Sequence, residues 1–125
     1  MRGYQKTELG QVIIDSKVLV SYASDVANST PGIVGMAFID AKDGIVKLLK
    51  REVAFKGIKV LIEDNQVTID YHLIVKFGVN VLSVQQNLLD GIKYKIEHYT
   101  GLKVGKVNMY IEGVLYGKKN KGGVI

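Results

Sequence analysis

Gly57-Ile58-Lys59-Val60-Leu61-Ile62-Glu63, then Asp64-Asn65, then Gln66-Val67-Thr68-Ile69-Asp70-Tyr71-His72-Leu73-Ile74-Val75 is the stretch on which the fold turns. Hydrophobic and polar residues alternate on both sides of Asp64-Asn65, and that pair tolerates the positive φ of a tight two-residue turn, so the segment reads as a β-hairpin. A two-residue loop places Ile62 opposite Val67, Val60 opposite Ile69 and Ile58 opposite Tyr71, which puts one apolar face on one side of the hairpin. Lys59 then meets Asp70 across the other face. Turn geometry and apolar face demand the same register, the consistency expected of a sequence that specifies its fold.

Downstream, Phe77-Gly78 breaks the strand and Asn80 is placed to cap a helix. Val81, Val84, Leu88, Ile92, Ile96 and Tyr99 recur at helical spacing until Gly101, a C-cap glycine. Gly91 inside this helix costs roughly 1 kcal/mol relative to Ala, which points to a neighbouring element in close approach. Val104 to Ile111 reads as a last strand with Val107, Met109 and Ile111 on one face, and Gly105 near its start signals a bulge.

Upstream, Gly10-Gln11-Val12-Ile13-Ile14 reads as a short strand, with Asp15 or Ser16 capping a helix whose Val18, Leu19, Tyr22, Ala23, Val26 and Ala27 form one stripe. That helix stops before Pro31-Gly32. Ile33 to Ile39 is an unbroken apolar run, the pattern of a strand near the sheet centre, ended by Asp40. Between Ala41 and Lys56, Asp43 is placed to cap a short helix with Ile45, Leu48 and Leu49 inward and Lys47, Lys50 and Arg51 toward water. Helix followed by strand occurs twice, through Thr30-Pro31-Gly32 and through Thr100-Gly101-Leu102, and helix-stop chemistry alone accounts for the echo. The class predicted is α+β: a mostly antiparallel sheet of four or five strands with two helices packed on one face. Residues 1–9 read as an N-terminal segment, 10–114 as the folded domain and 115–125 as a basic flexible tail.

With 125 residues, 47% of them hydrophobic, the chain suits one domain with one core. No cysteine occurs, which excludes disulfides and thiolate chemistry and fits a reducing compartment. The polar start, Met1 to Glu8, lacks the apolar stretch of a secretory signal, and no run approaches the ~20 apolar residues of a membrane span. The expected location is the cytoplasm. The formal charge is +5, with Lys118, Lys119 and Lys121 gathered among glycines at the end.

Chemistry is sparse. His72 falls on the outer face of the hairpin and His98 in the last turn of a helix, with no ligand-spaced partner for either, so no metal site is expected. No G-x-S-x-G elbow occurs and no serine has a nearby histidine in sequence, and the carboxylates Asp40, Asp43, Glu63 and Asp64 flank turns, where they serve turn formation. Gly117 to Gly122 lacks the Ser or Thr and the following helix of a P-loop. Asn28-Ser29-Thr30 is a formal glycosylation sequon without meaning in a cytoplasmic chain. Gly32-Ile33-Val34-Gly35 matches the G-x-x-G of nucleic-acid-binding KH domains, but its middle residues are apolar and it enters a strand. Accordingly no catalytic, cofactor-binding or metal-ligating residue is assigned and no cofactor is expected.

Taken in order, several segments resemble the bacterial alkaline shock protein family, also called envelope stress response proteins. They are Gly10-Gln11-Val12-Ile13-Ile14, Pro31-Gly32-Ile33, Lys56-Gly57-Ile58-Lys59-Val60 and Val75-Lys76-Phe77-Gly78-Val79. Gln85 or Gln86 falls where the family's second helix carries glutamine, and Thr100-Gly101-Leu102-Lys103-Val104 leads into Val107 to Val114. Where the family often has a glutamate late in its first helix and Tyr-Gly after the hairpin, this chain has Asn28-Ser29 and Phe77-Gly78. The resemblance implies a non-enzymatic scaffold or adaptor of cell-envelope homeostasis that self-associates and is held near the membrane by a membrane-anchored protein partner, with no small-molecule substrate. The alternative is a small nucleic-acid-binding module using Lys118, Lys119, Lys121 and the cations from Lys47 to Arg51, marked by a steep loss of affinity with salt.

Overall fold

Asp64 and Asn65 take φ of 50° and 61°, the left-handed pair that closes a hairpin whose twist matches its strands. In the computed structural model, which describes residues 2–40, 45–48 and 57–116, strand β5 (Ile58–Glu63) thereby meets β6 (Gln66–Lys76) in the expected register. Ile62 faces Val67, Val60 faces Ile69, Ile58 faces Tyr71 and Lys59 faces Asp70.

The chain order is β1 (Arg2–Thr7), β2 (Gly10–Asp15), α1 (Ser16–Ser29), β3 (Ile33–Asp40), β4 (Ile45–Leu48), β5, β6, α2 (Val81–Ile92) and β7 (Lys103–Leu115). One sheet runs β4-β3-β6-β5, with β7 along the other edge of β6; β1 and β2 form a separate two-stranded ribbon. All pairs are antiparallel except β6 with β7, which run parallel because α2 carries the chain back to the starting end of the sheet. The α+β class with two helices on one face is therefore observed.

Both helices end as the residues dictate. Asp15 accepts from the Lys17 amide and Asn80 from the Ser83 amide at 3.0 Å each, satisfying donors that the first turn leaves over. Beyond α2, a π-helical turn (Lys93–Glu97) and a last turn (His98–Thr100) carry the helix to Gly101, whose φ of 77° makes the left-handed stop. Gly91 faces α1: a Cβ there would lie 2.8 Å from Val26 Cγ1, so the expected close approach is between the two helices.

The core lies between these helices and one face of the sheet. Leu19, Ala23 and Ala27 of α1, and Leu88, Ile92 and Ile96 of the second helix, close over Val67, Ile69, Tyr71 and Leu73 of β6. All ten are fully buried, and each large apolar side chain among them contributes roughly 1.5–3 kcal/mol. The helical stripes end short of their predicted length, because Val81 and Tyr99 stand in solvent.

Two expectations change. Ile45–Leu48 is a strand, paired from Asp40↔Ile45 to Ala37↔Leu48, rather than the beginning of a helix. Adjacent β-branched Ile45 and Val46 favour extended backbone, and the edge of β3 supplies hydrogen bonds that an isolated helical turn would lack. Asp43, the proposed cap, and Leu49, Lys50 and Arg51 lie outside the described residues. The N-terminal segment, in turn, contains β1, paired with β2 from Thr7↔Gly10 to Arg2↔Asp15. At the other end β7 reaches Leu115, and its two register shifts fall at Gly105, as expected, and at Glu112.

Candidate functional site

Where the helices meet the ribbon, aromatic rings collect on the surface. Tyr22 of α1 stacks on Tyr99 with centroids 6.0 Å apart, and Tyr94 stacks on His98 at 5.2 Å. Edge contacts of His98 and Tyr94 to Tyr99, at 5.1 and 6.5 Å, join both pairs into one cluster. Tyr94 and Tyr99 are nevertheless 63% and 58% exposed, so these rings stand outside the core on which half-buried Tyr22 packs.

Beside it runs an open groove of about 290 Å³ in which Tyr22 and Tyr99 of the helices face Val12, Ile13 and Ile14 of β2 and Val18 of α1. Val12, Ile13 and Val18 are exposed, which makes the apolar patch continuous from the ribbon to the rings. On the flank, Lys95 pairs with Asp25 across the helix interface, and the hydrogen bond to that carboxylate raises the Lys95 ammonium above its usual range. Aromatic groups with a polar tip and an apolar body, rimmed by an ion pair, have the composition that interface cores and rims share in general. Of its members, sequence reading placed Tyr22 and Tyr99 in core stripes and His98 in the last helical turn, and passed over Tyr94. The i, i+4 spacing of Tyr94 and His98 was the available signal.

The sheet face away from the helices is polar and carries its own contacts. Asn108 donates to Asp70 at 2.8 Å, and His72 Nδ1 donates to Glu112 Oε2 at 2.6 Å while the His72 ring stacks on Tyr110 at 4.8 Å. His72 lies on the outer face, as the alternation predicts, with its ring held by β7. Among the described residues no three His, Cys, Asp or Glu side chains converge in a metal-binding group. Of the basic groups considered for nucleic acid, Lys47 falls in β4, whereas Lys118, Lys119 and Lys121 lie outside the described residues. No described helix is long and apolar enough to cross a membrane.

These features define a helix-backed, open-faced sheet domain of the α+β class with an exposed aromatic patch at one end. The chain belongs to the ASP23 family of alkaline shock proteins, described by a cell envelope-related function, whose model matches residues 4–116. It is 36% identical over 110 residues to the protein YloU of Bacillus subtilis (strain 168), covering 87% of this chain and 92% of YloU. Streptococcus pyogenes serotype M6 Spy1614 is 28% identical over 109 residues, covering 86% of this chain and 90% of its own. Bacillus subtilis YqhY is also 28% identical, over 116 residues, 93% of this chain and 85% of YqhY. No solved structure matches. The match from residue 4 takes in most of β1, so the ribbon belongs to the family domain.

Proposed function

We propose that this chain is a non-enzymatic scaffold or adaptor for cell-envelope stress and homeostasis, recruited to the membrane by a protein partner and self-associating. Membership in a family with a cell envelope-related function supports the setting. The observation that carries the adaptor role is the exposed set Tyr94, His98 and Tyr99, backed by half-buried Tyr22 and continuous with Val12, Ile13 and Val18, since rigid aromatic groups at a patch centre supply most of the energy of protein recognition. Recruitment then takes place in the cytoplasm, with the partner rather than this chain supplying the anchor.

Affinity capture of the tagged protein from gently solubilised cells, with and without nuclease, tests this reading. A nuclease-resistant set containing a small membrane protein and copies of this chain is the expected result. Loss of the bound material on nuclease treatment would overturn it in favour of nucleic-acid binding through the basic segments.

A further inference from the structure

The geometry points to the free edge of β7 as the self-association surface, with a second copy of the same strand, antiparallel and centred on Met109, as its occupant; this rests on the self-associating reading above. β7 has 13 residues and pairs along one edge with β6, and among the described residues no strand pairs with its other edge. An open edge of that length presents a row of unpaired amides and carbonyls, and sheet proteins ordinarily blunt such edges with charges, proline or bulges.

The residues of β7 are self-complementary about Met109. In that register Lys106 opposes Glu112, Val107 opposes Ile111, and Asn108 opposes Tyr110, while Gly105 opposes Gly113 and Val104 opposes Val114. Apolar meets apolar at Val107/Ile111 and Val104/Val114, glycine meets glycine, and in the Lys106/Glu112 pair opposite charges meet. Lys106 alone would be a guard against edge pairing, but opposite a carboxylate it becomes a selector for one register. Shifting the register by two places would set Lys106 against Tyr110 and lose the pair. A two-fold axis through Met109 forms the Lys106 and Glu112 contact twice, as an isologous interface requires.

The faces agree with this. Lys106, Asn108, Tyr110 and Glu112 share the outer face, fixed by Asn108 on Asp70 and by Tyr110 and Glu112 on His72, so opposed side chains lie on one side of the joined sheet. Bulges at Gly105 and Glu112 bound a regular run from Lys106 to Ile111, so the symmetric ladder is Val107 to Ile111, and Lys106 meets Glu112 at its end, where the bulge begins. Glu112 already accepts from His72 through one oxygen, and a carboxylate has a second with which to receive Lys106. The patch at Tyr94 and Tyr99 lies on the helical layer, which leaves it exposed for a different partner when sheets join edge to edge.

Charge reversal tests the register on the full chain by analytical ultracentrifugation across concentration, with circular dichroism to confirm folding. Lys106→Glu and Glu112→Lys should each weaken self-association about tenfold or more, by turning two attractive pairs into repulsive ones. Mixing the two variants should restore it, because each then supplies the charge the other lacks. Independently, Met109→Cys introduces a lone thiol into a cysteine-free chain and should crosslink to its own copy under mild oxidation, whereas Tyr110→Cys, displaced along the strand from its copy, should not. Wild-type association that ignores both reversals, with no Met109→Cys crosslink, would overturn the edge interface and leave self-association standing. A wild-type monomer at every concentration would overturn both.

Discussion

The Tyr71 hydroxyl donates a 2.6 Å hydrogen bond to the backbone carbonyl of Ala23, joining the middle of the central strand to the middle of α1. Burial pushes the Tyr71 phenol well above its ordinary value, because an anion there would sit among apolar neighbours. A folded-state value above the unfolded one means that the neutral phenol contributes its stability fully below pH ~10, the unfolded value, and loses it as pH rises toward the folded value. Tyr71→Phe should cost about 1 kcal/mol at neutral pH by removing the bond. Its stability should also fall less steeply than wild type above pH ~10, since no phenol remains to ionise; urea unfolding at neutral and alkaline pH measures both effects.

Gly91 presents a conflict between two magnitudes. Alanine would gain roughly 1 kcal/mol of helix propensity, but its Cβ would meet Val26 Cγ1 at 2.8 Å, and overpacking of a core costs roughly 1–3 kcal/mol. Val26 is β-branched and cannot swing aside cheaply in a helix. Gly91→Ala should therefore destabilise by about 1 kcal/mol in the wild type yet stabilise in a Val26→Ala background. A thermal-unfolding double-mutant cycle with strictly additive shifts would exclude this contact as the reason for the glycine.

Asn65 does two things at the hairpin. It holds a left-handed backbone angle, and its Oδ1 accepts from the Tyr4 amide at 3.1 Å, fastening β1 to the turn. Asn65→Gly keeps the first role and removes the second, whereas Asn65→Ala removes both. Alanine should cost about 1–2 kcal/mol and glycine less, and hydrogen exchange at the Tyr4 amide should accelerate in both.

Replacing the exposed rings should separate binding from folding. Tyr94→Ala with Tyr99→Ala, on a surface already open to solvent, should lower stability by less than about 1.5 kcal/mol, whereas Leu88→Ala in the core should cost about 2–5 kcal/mol. On the adaptor proposal, any membrane protein captured by the wild type should be lost in the tyrosine variant despite its native circular dichroism. Retained capture would move the adaptor surface away from these rings.

The hairpin and α2 were legible because each carries two agreeing signals, a turn or cap and a periodicity. β1 was not, since Gly3 is its one buried residue and no hydrophobic alternation marks it. β4 was misread because Lys47, Lys50 and Arg51 suit a helix face, and nothing local reveals that β3 has an edge to offer. The aromatic patch was half legible: Tyr22 and Tyr99 were found by spacing, but a helical stripe does not announce where it leaves the core. That β7 runs parallel to β6 follows from the helix between them, whereas the edge it exposes depends on where β3 and β5 lie.

Val84, Leu88, Ile92 and Ile96 are all buried and all four residues apart. In an ideal α-helix four residues turn about 400°, so such a series precesses by about 40° at each step and would wind off the sheet. The wider turn at Lys93–Glu97 takes up that precession where it has accumulated, keeping Ile96 in phase with Ile92. Deleting one residue from this turn would reset the phase of everything after it, rotating Tyr99 and Gly101 about the helix axis by roughly 100° and misaiming the entry of β7. The π turn is thus a phase corrector, setting at once the angle at which the aromatic surface faces outward and the line along which the last strand begins.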